Sequence, residues 1–61
     1  MSAADAKPRL LIADDDPEIL ILLSKRFGKQ GYDVSEAADG VQALRLARER
    51  RPDVVILDVM M

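Results

Sequence analysis

Apolar residues in this chain fall into two short unbroken runs and two periodic stretches. Leu10, Leu11, Ile12 and Ala13 lead directly into Asp14, Asp15, Asp16 and Pro17, and Val54, Val55, Ile56 and Leu57 lead into Asp58. Unbroken apolar runs this short, closed by turn-forming residues, predict buried strands rather than helices. After the first run, Ile19, Leu20, Leu23 and Phe27 recur within one arc at helical spacing, which predicts a helix from about Pro17 to Gln30. Asp16 supplies an N-cap acceptor, Pro17 a first helical residue and Glu18 an acid in the first turn. Gly31 is the stop, and Lys25, Arg26 and Lys29 suit the negative end of the helix dipole. Ile21 falls opposite the apolar arc. It reads as a surface aliphatic, with contact to another chain as the alternative.

From Tyr32 to Ala38, Tyr32 and Val34 alternate with Asp33 and Ser35, the pattern of a half-polar strand at a sheet edge. Asp39 and Gly40 then turn the chain into a second helix, about Val41 to Arg51, with Asp39 as N-cap and Ala43, Leu44 and Ala47 as its inner face. Arg45, Arg48, Glu49, Arg50 and Arg51 read as a solvated outer face with basic residues at the helix C-terminus. Pro52 and Asp53 end the helix. The order is strand, helix, strand, helix, strand, the signature of an α/β fold with a parallel sheet.

Right-handed crossovers and a polar second strand fix the expected arrangement. The first strand lies centrally, the strand order is 2-1-3, and one helix covers each face. The carboxyl ends of strands 1 and 3 then meet at the topological switch point, where open α/β sheets bind their ligands. This reading brings Asp14, Asp15 and Asp58 together, and leaves Asp16 as a cap and Asp39 and Asp53 as cap and turn residues. Two like charges at about 4 Å repel by roughly 4 kcal/mol at an effective dielectric near 20, so such a crevice calls for a cation or a proton. Oxygen donors without nitrogen or sulfur favour Mg²⁺, and with it phosphoryl binding or transfer to a carboxylate.

Composition narrows the choices. The chain has 61 residues with neither cysteine nor histidine, which excludes disulfides and thiol or imidazole metal sites. A domain of this size buries only about 60% of the surface its unfolded chain exposes, so its stability is marginal. A net charge of −2 and the lack of a basic stripe argue against nucleic-acid binding by this segment. Residues 1–8 are small and polar and read as a flexible tail without the apolar core of an export signal. No apolar stretch approaches the roughly 20 residues that span a bilayer, so the expected location is the cytoplasm, without a membrane.

Taken together, Leu10 to Ile19 with its acidic pair, Gly31 to Val34, Ala38 to Gly40 with Ala43 and Leu44, and Arg51 to Met61 resemble the receiver domain of two-component response regulators. The resemblance covers residues 9–61 and implies the βαβαβ half of a flavodoxin-like doubly wound fold. It further implies that Asp58 is the phosphoacceptor, that Asp14, Asp15, Asp58 and the backbone carbonyl of Met60 hold Mg²⁺, and that a sensor histidine kinase or a small phosphodonor supplies the phosphoryl group. The protein would then be an acceptor in a phosphorelay rather than an enzyme. The family's later Ser or Thr and its Lys have no counterpart within these residues, so phosphotransfer is expected to be impaired in this chain. A haloacid-dehalogenase-like phosphatase also ends an apolar strand in acids. Here Glu18 stands where that family carries Thr, and no second acid follows Asp58.

A last expectation concerns the third strand. Val54 to Leu57 would form an apolar parallel edge, which invites pairing with another chain. A homodimer or higher oligomer through this edge is therefore expected to complete the fold. The alternative to a phosphoacceptor is a half-domain whose only property is such self-association.

Overall fold

A computed structural model describes residues 7–57; the sequence-predicted tail, residues 1–8, thus falls almost wholly outside the described residues, as do Asp58 and Met60. The elements are β1 (Arg9–Ala13), α1 (Pro17–Lys29), β2 (Asp33–Ala37), α2 (Gly40–Arg50) and β3 (Val54–Leu57). The strands form one parallel sheet in the order β2-β1-β3. This is the expected α/β, flavodoxin-like half fold. In the central strand Leu10, Leu11, Ile12 and Ala13 are all buried, as an unbroken apolar run requires when both faces of a strand are covered.

Alternation along β1 divides the core in two. Leu10 and Ile12 point to one face and pack with Leu20, Leu23, Phe27, Tyr32, Val34 and Ile56. Leu11 and Ala13 point to the other, where they meet Ala37, Ala43, Leu46 and Ala47. The two helices therefore lie on opposite faces, as the crossover rule dictates. Small side chains at Ala13, Ala37, Ala43 and Ala47 let α2 approach the sheet closely.

Helix ends follow local chemistry. Asp16 caps α1 by accepting from the Glu18 amide at 2.9 Å, and Asp39 caps α2 by accepting from the Gln42 amide at 2.8 Å. Gln42 Oε1 in turn accepts from the Ala38 amide at 2.9 Å, a near-reciprocal cap that fixes the β2–α2 turn. The other end of α1 is a Schellman motif. Gly31, at φ 98°, donates to the Gly28 carbonyl and Tyr32 donates to the Phe27 carbonyl, each at 3.1 Å. The rings of Phe27 and Tyr32 close over it edge to face, 5.7 Å between centroids. α2 ends differently. Arg51 takes the left-handed conformation, with φ 48°, and donates to the Ala47 carbonyl at 3.2 Å.

Two inner-face assignments need correction. Leu44 is exposed, and Leu46 packs in its place beside Ala43 and Ala47. Each helical residue advances about 100°, so Ala43, Leu44 and Ala47 make an arc as narrow as Ala43, Leu46 and Ala47. Only the docking of α2 on β1 and β2 chooses between them. Ile19 is likewise more exposed than expected, lying just beyond the arc of Leu20, Leu23 and Phe27. Ile21 is exposed, as expected for its position, and so is Leu22.

Both helices cover β1 and β2, and neither crosses over β3. Val54, Val55 and Leu57 are in consequence exposed, while Ile56 reaches the α1-side core. At the amino end of the sheet, the Arg9 amide donates to Asp53 Oδ2 and the Asp53 amide donates to the Arg9 carbonyl, both at 2.8 Å. The Arg9 guanidinium donates to the Arg50 carbonyl at 2.7 Å. Asp53 is thus the turn residue the sequence predicts, tying β3 to β1 at the end opposite the acidic cluster.

Candidate functional site

Where β1 ends, the chain leaves the sheet with Asp14 and Asp15 and enters α1 at Asp16 and Pro17. Asp14 is 7% exposed, the only buried charged residue among those described. Its amide continues the β1–β2 ladder by donating to the Ala37 carbonyl at 3.1 Å. Its Oδ1 accepts from the Asp16 amide at 2.9 Å, an Asx turn that fixes the carboxylate. A carboxylate has about four acceptor positions, so this bond leaves capacity for a further partner. Asp15 is exposed.

Asp16 serves as the predicted cap: its side chain accepts from Glu18 and its carbonyl from the Leu20 amide at 3.1 Å. Asp39 is engaged at α2, as expected. The structure therefore brings Asp14 and Asp15 to the carboxyl end of the central strand and keeps Asp16, Asp39 and Asp53 in structural roles. Asp58 and Met60 lie outside the described residues. Among the described residues, no three acidic side chains gather into a metal-holding group.

The donors present suit a hard cation. They are carboxylate oxygens, and the chain holds no imidazole or thiol that would draw a softer metal. One acid is oriented and the other is open to solvent. That pairing fits Mg²⁺, which uses one or two carboxylates and keeps several waters. The apolar groove between α2 and β3, lined by Leu11, Ala43, Leu44, Ala47, Val55 and Leu57, is a separate feature on one face of the sheet.

Two contributors were not evident from the sequence alone. Ala37 anchors Asp14 through its carbonyl, and only the β1–β2 register, Ala13 opposite Ala37, reveals it. The Asp14-to-Asp16 turn is the other: Asp commonly accepts from the amide two residues on, but which of three consecutive acids does so is decided by the backbone direction. A further link, from Ser24 Oγ to Glu36 Oε2 at 2.6 Å, fastens α1 to β2 and explains the acid on that half-polar strand. The basic residues of α2 are solvated; Arg45 reaches Glu49 at 4.0 Å on the exposed surface, a pair worth little to stability. No helix among the described residues is long and apolar enough to cross a membrane.

Comparison with known proteins adds independent findings. The family model described as "Response regulator receiver domain" matches residues 10–61. The transcriptional regulatory protein PrrA of Mycobacterium leprae is 43% identical over 61 residues, covering all of this chain and 26% of that protein. The DNA-binding dual master transcriptional regulator RpaA of Synechocystis is 46% identical over 54 residues, covering 88% of this chain and 22% of its own length. Sporulation initiation phosphotransferase F of Bacillus subtilis is 47% identical over 51 residues, covering 84% of this chain and 41% of that protein. The chain thus spans well under half the length of these relatives.

Proposed function

The chain belongs to the response regulator receiver domain family, and from that premise we propose that Asp58 accepts a phosphoryl group in a two-component phosphorelay, beside a Mg²⁺ held by Asp14, Asp15, Asp58 and the Met60 carbonyl. The observation that carries this reading is the register of the central pair. Ala13 pairs with Leu57 in parallel strands, and the next residues in sequence are Asp14 and Asp58. Acids that follow paired positions at a switch point are the natural liners of one crevice.

In this reading a carboxylate oxygen of Asp58 attacks phosphorus, a new O–P bond forms, and the bond from phosphorus to the donor breaks. With a sensor kinase the bond lost is P–N of a phosphohistidine; with a small phosphodonor it is that donor's own bond to phosphorus. Asp14, locked by the Asp16 amide, and the open Asp15 hold the cation, which when bound offsets negative charge on the transferring group. The rest of the chain's contribution is positional, since β1 and α1 share the loop that carries both acids. Within these 61 residues no Ser or Thr and Lys correspond to the family's later phosphoryl contacts, so uptake by these residues alone is expected to be slow. The family's usual location, the cytoplasm, is part of the same proposal.

Incubation of the chain, or of the longer protein containing it, with a small phosphodonor and Mg²⁺ tests the assignment. Mass spectrometry is expected to find one added phosphoryl group, mapped to Asp58 and absent from Asp58→Asn. Phosphorylation that persists in Asp58→Asn, or maps elsewhere, would overturn it.

A second reading, self-association, draws on the exposure of Val54, Val55 and Leu57. A two-fold axis could join β3 of two 61-residue chains antiparallel and cover this apolar edge. Light scattering over a wide concentration range is expected to give a dimer that a lysine at Val55 dissociates; a monomer at every concentration rules the dimer out.

A further inference from the structure

We infer that Asp16 is a positioning residue for the acidic site, acting through the amide it presents to Asp14 rather than through its own charge. The inference rests on the reading of Asp14 and Asp15 as cation ligands. Asp16 is held at three points. Its side chain accepts from the Glu18 amide at 2.9 Å, its carbonyl accepts from the Leu20 amide at 3.1 Å, and its own amide donates to Asp14 Oδ1 at 2.9 Å. Its backbone, φ −92° and ψ 111°, is the extended conformation an N-cap needs, and Pro17 beyond it fixes the entry to α1.

The cap and the ligand therefore share one residue. The two hydrogen bonds that belong to α1 set the direction of the Asp16 N–H, and that N–H selects the orientation of a carboxylate with 7% exposure. Bonds from a neutral donor to a metal-binding carboxylate usually orient it and tune its affinity. The Asp16 carboxylate itself is committed to Glu18 and faces the helix rather than the switch point. A neutral residue that caps equally well should therefore preserve the site, whereas a residue that cannot cap should let Asp14 turn.

Asn is about as good an N-cap as Asp, and Ala is a poor one. The test compares Asp16→Asn, Asp16→Ala and wild type by Mg²⁺ titration and by amide hydrogen exchange in metal-free protein. Asp16→Asn is expected to bind Mg²⁺ within about twofold of wild type, because asparagine keeps the cap and with it the direction of the residue-16 amide. Asp16→Ala is expected to bind about fivefold more weakly and to exchange its residue-16 amide about fivefold faster, in line with the loss of one cap. If Asp16→Ala fails to fold, Asp16→Gly takes its place, since glycine caps with little loss of stability but provides no side-chain acceptor. Equal weakening in Asn and Ala would overturn the inference in favour of a direct charge or ligand role. Unchanged binding and exchange in Ala would overturn it as well. If the wild type shows no response to Mg²⁺, the metal reading itself fails. Amide exchange then decides alone: faster exchange in Ala and not in Asn upholds the hold on Asp14, and unchanged exchange refutes it.

Discussion

Replacing Arg51 with glycine is expected to stabilise this domain. Arg51 is the only non-glycine residue with positive φ among those described, at φ 48° and ψ 65°. The conformation ends α2: the Arg51 amide still donates to the Ala47 carbonyl, and the left-handed turn at Arg51 then carries the chain out of the helix towards Pro52. An L-residue pays about 1–2 kcal/mol to sit there. Glycine removes that strain but gives the unfolded chain about 0.4–1 kcal/mol of extra freedom. The net gain is about 0.5–1 kcal/mol, and in a domain this small about 1 kcal/mol moves Tm by roughly 4–8 °C. Arg51 is exposed, and the Arg9 guanidinium binds the carbonyl of Arg50, so among the described residues no side-chain hydrogen bond or ion pair is sacrificed. Thermal unfolding followed by circular dichroism, with Arg51→Ala as the control that keeps a Cβ, measures the effect. The Ala variant should stay within about 0.5 kcal/mol of wild type. A glycine variant no more stable than the alanine variant would refute the reasoning. The substitution lies at the amino end of the sheet, so the response to Mg²⁺ should not change.

Ile12→Ala removes a side chain with no exposure from the α1-side core and should cost about 2–5 kcal/mol. Total stability at this length is only about 3–9 kcal/mol at about 0.05–0.15 kcal/mol per residue, so urea unfolding should show a sharply lowered midpoint or no folded baseline. Gln42→Ala should cost about 1 kcal/mol in the same assay through the lost acceptor for the Ala38 amide, whereas Gln42→Glu, which keeps an acceptor there, should retain most of it.

Much of the fold was legible because local and global signals agreed. The polarity of Asp33 and Ser35 marked β2 as an edge strand, and that one inference set the order β2-β1-β3 and sent the helices to opposite faces. Asp16, Asp39 and Gly31 declared the helix ends through chemistry that needs no tertiary context. Leu44 did not, since its arc with Ala43 and Ala47 was as good as the one the sheet selected. Its apolar surface lines the α2–β3 groove instead. At the site, the acids and their place at the end of β1 were readable from an apolar run that stops in carboxylates. The bonds that hold Asp14, from Asp16 and to Ala37, were not, because each depends on backbone direction or strand register rather than on residue type.

Titration of Mg²⁺ into the metal-free chain, followed by backbone amide NMR, tests the acidic site most directly. Saturable shifts are expected at Asp14, Asp15, Asp16 and Asp58, with Arg9 and Asp53 at the opposite end of the sheet unmoved, and the whole response lost in Asp15→Asn. Shifts spread evenly over the surface carboxylates, or an Asp15→Asn chain that responds like wild type, would contradict a cation site at the end of β1.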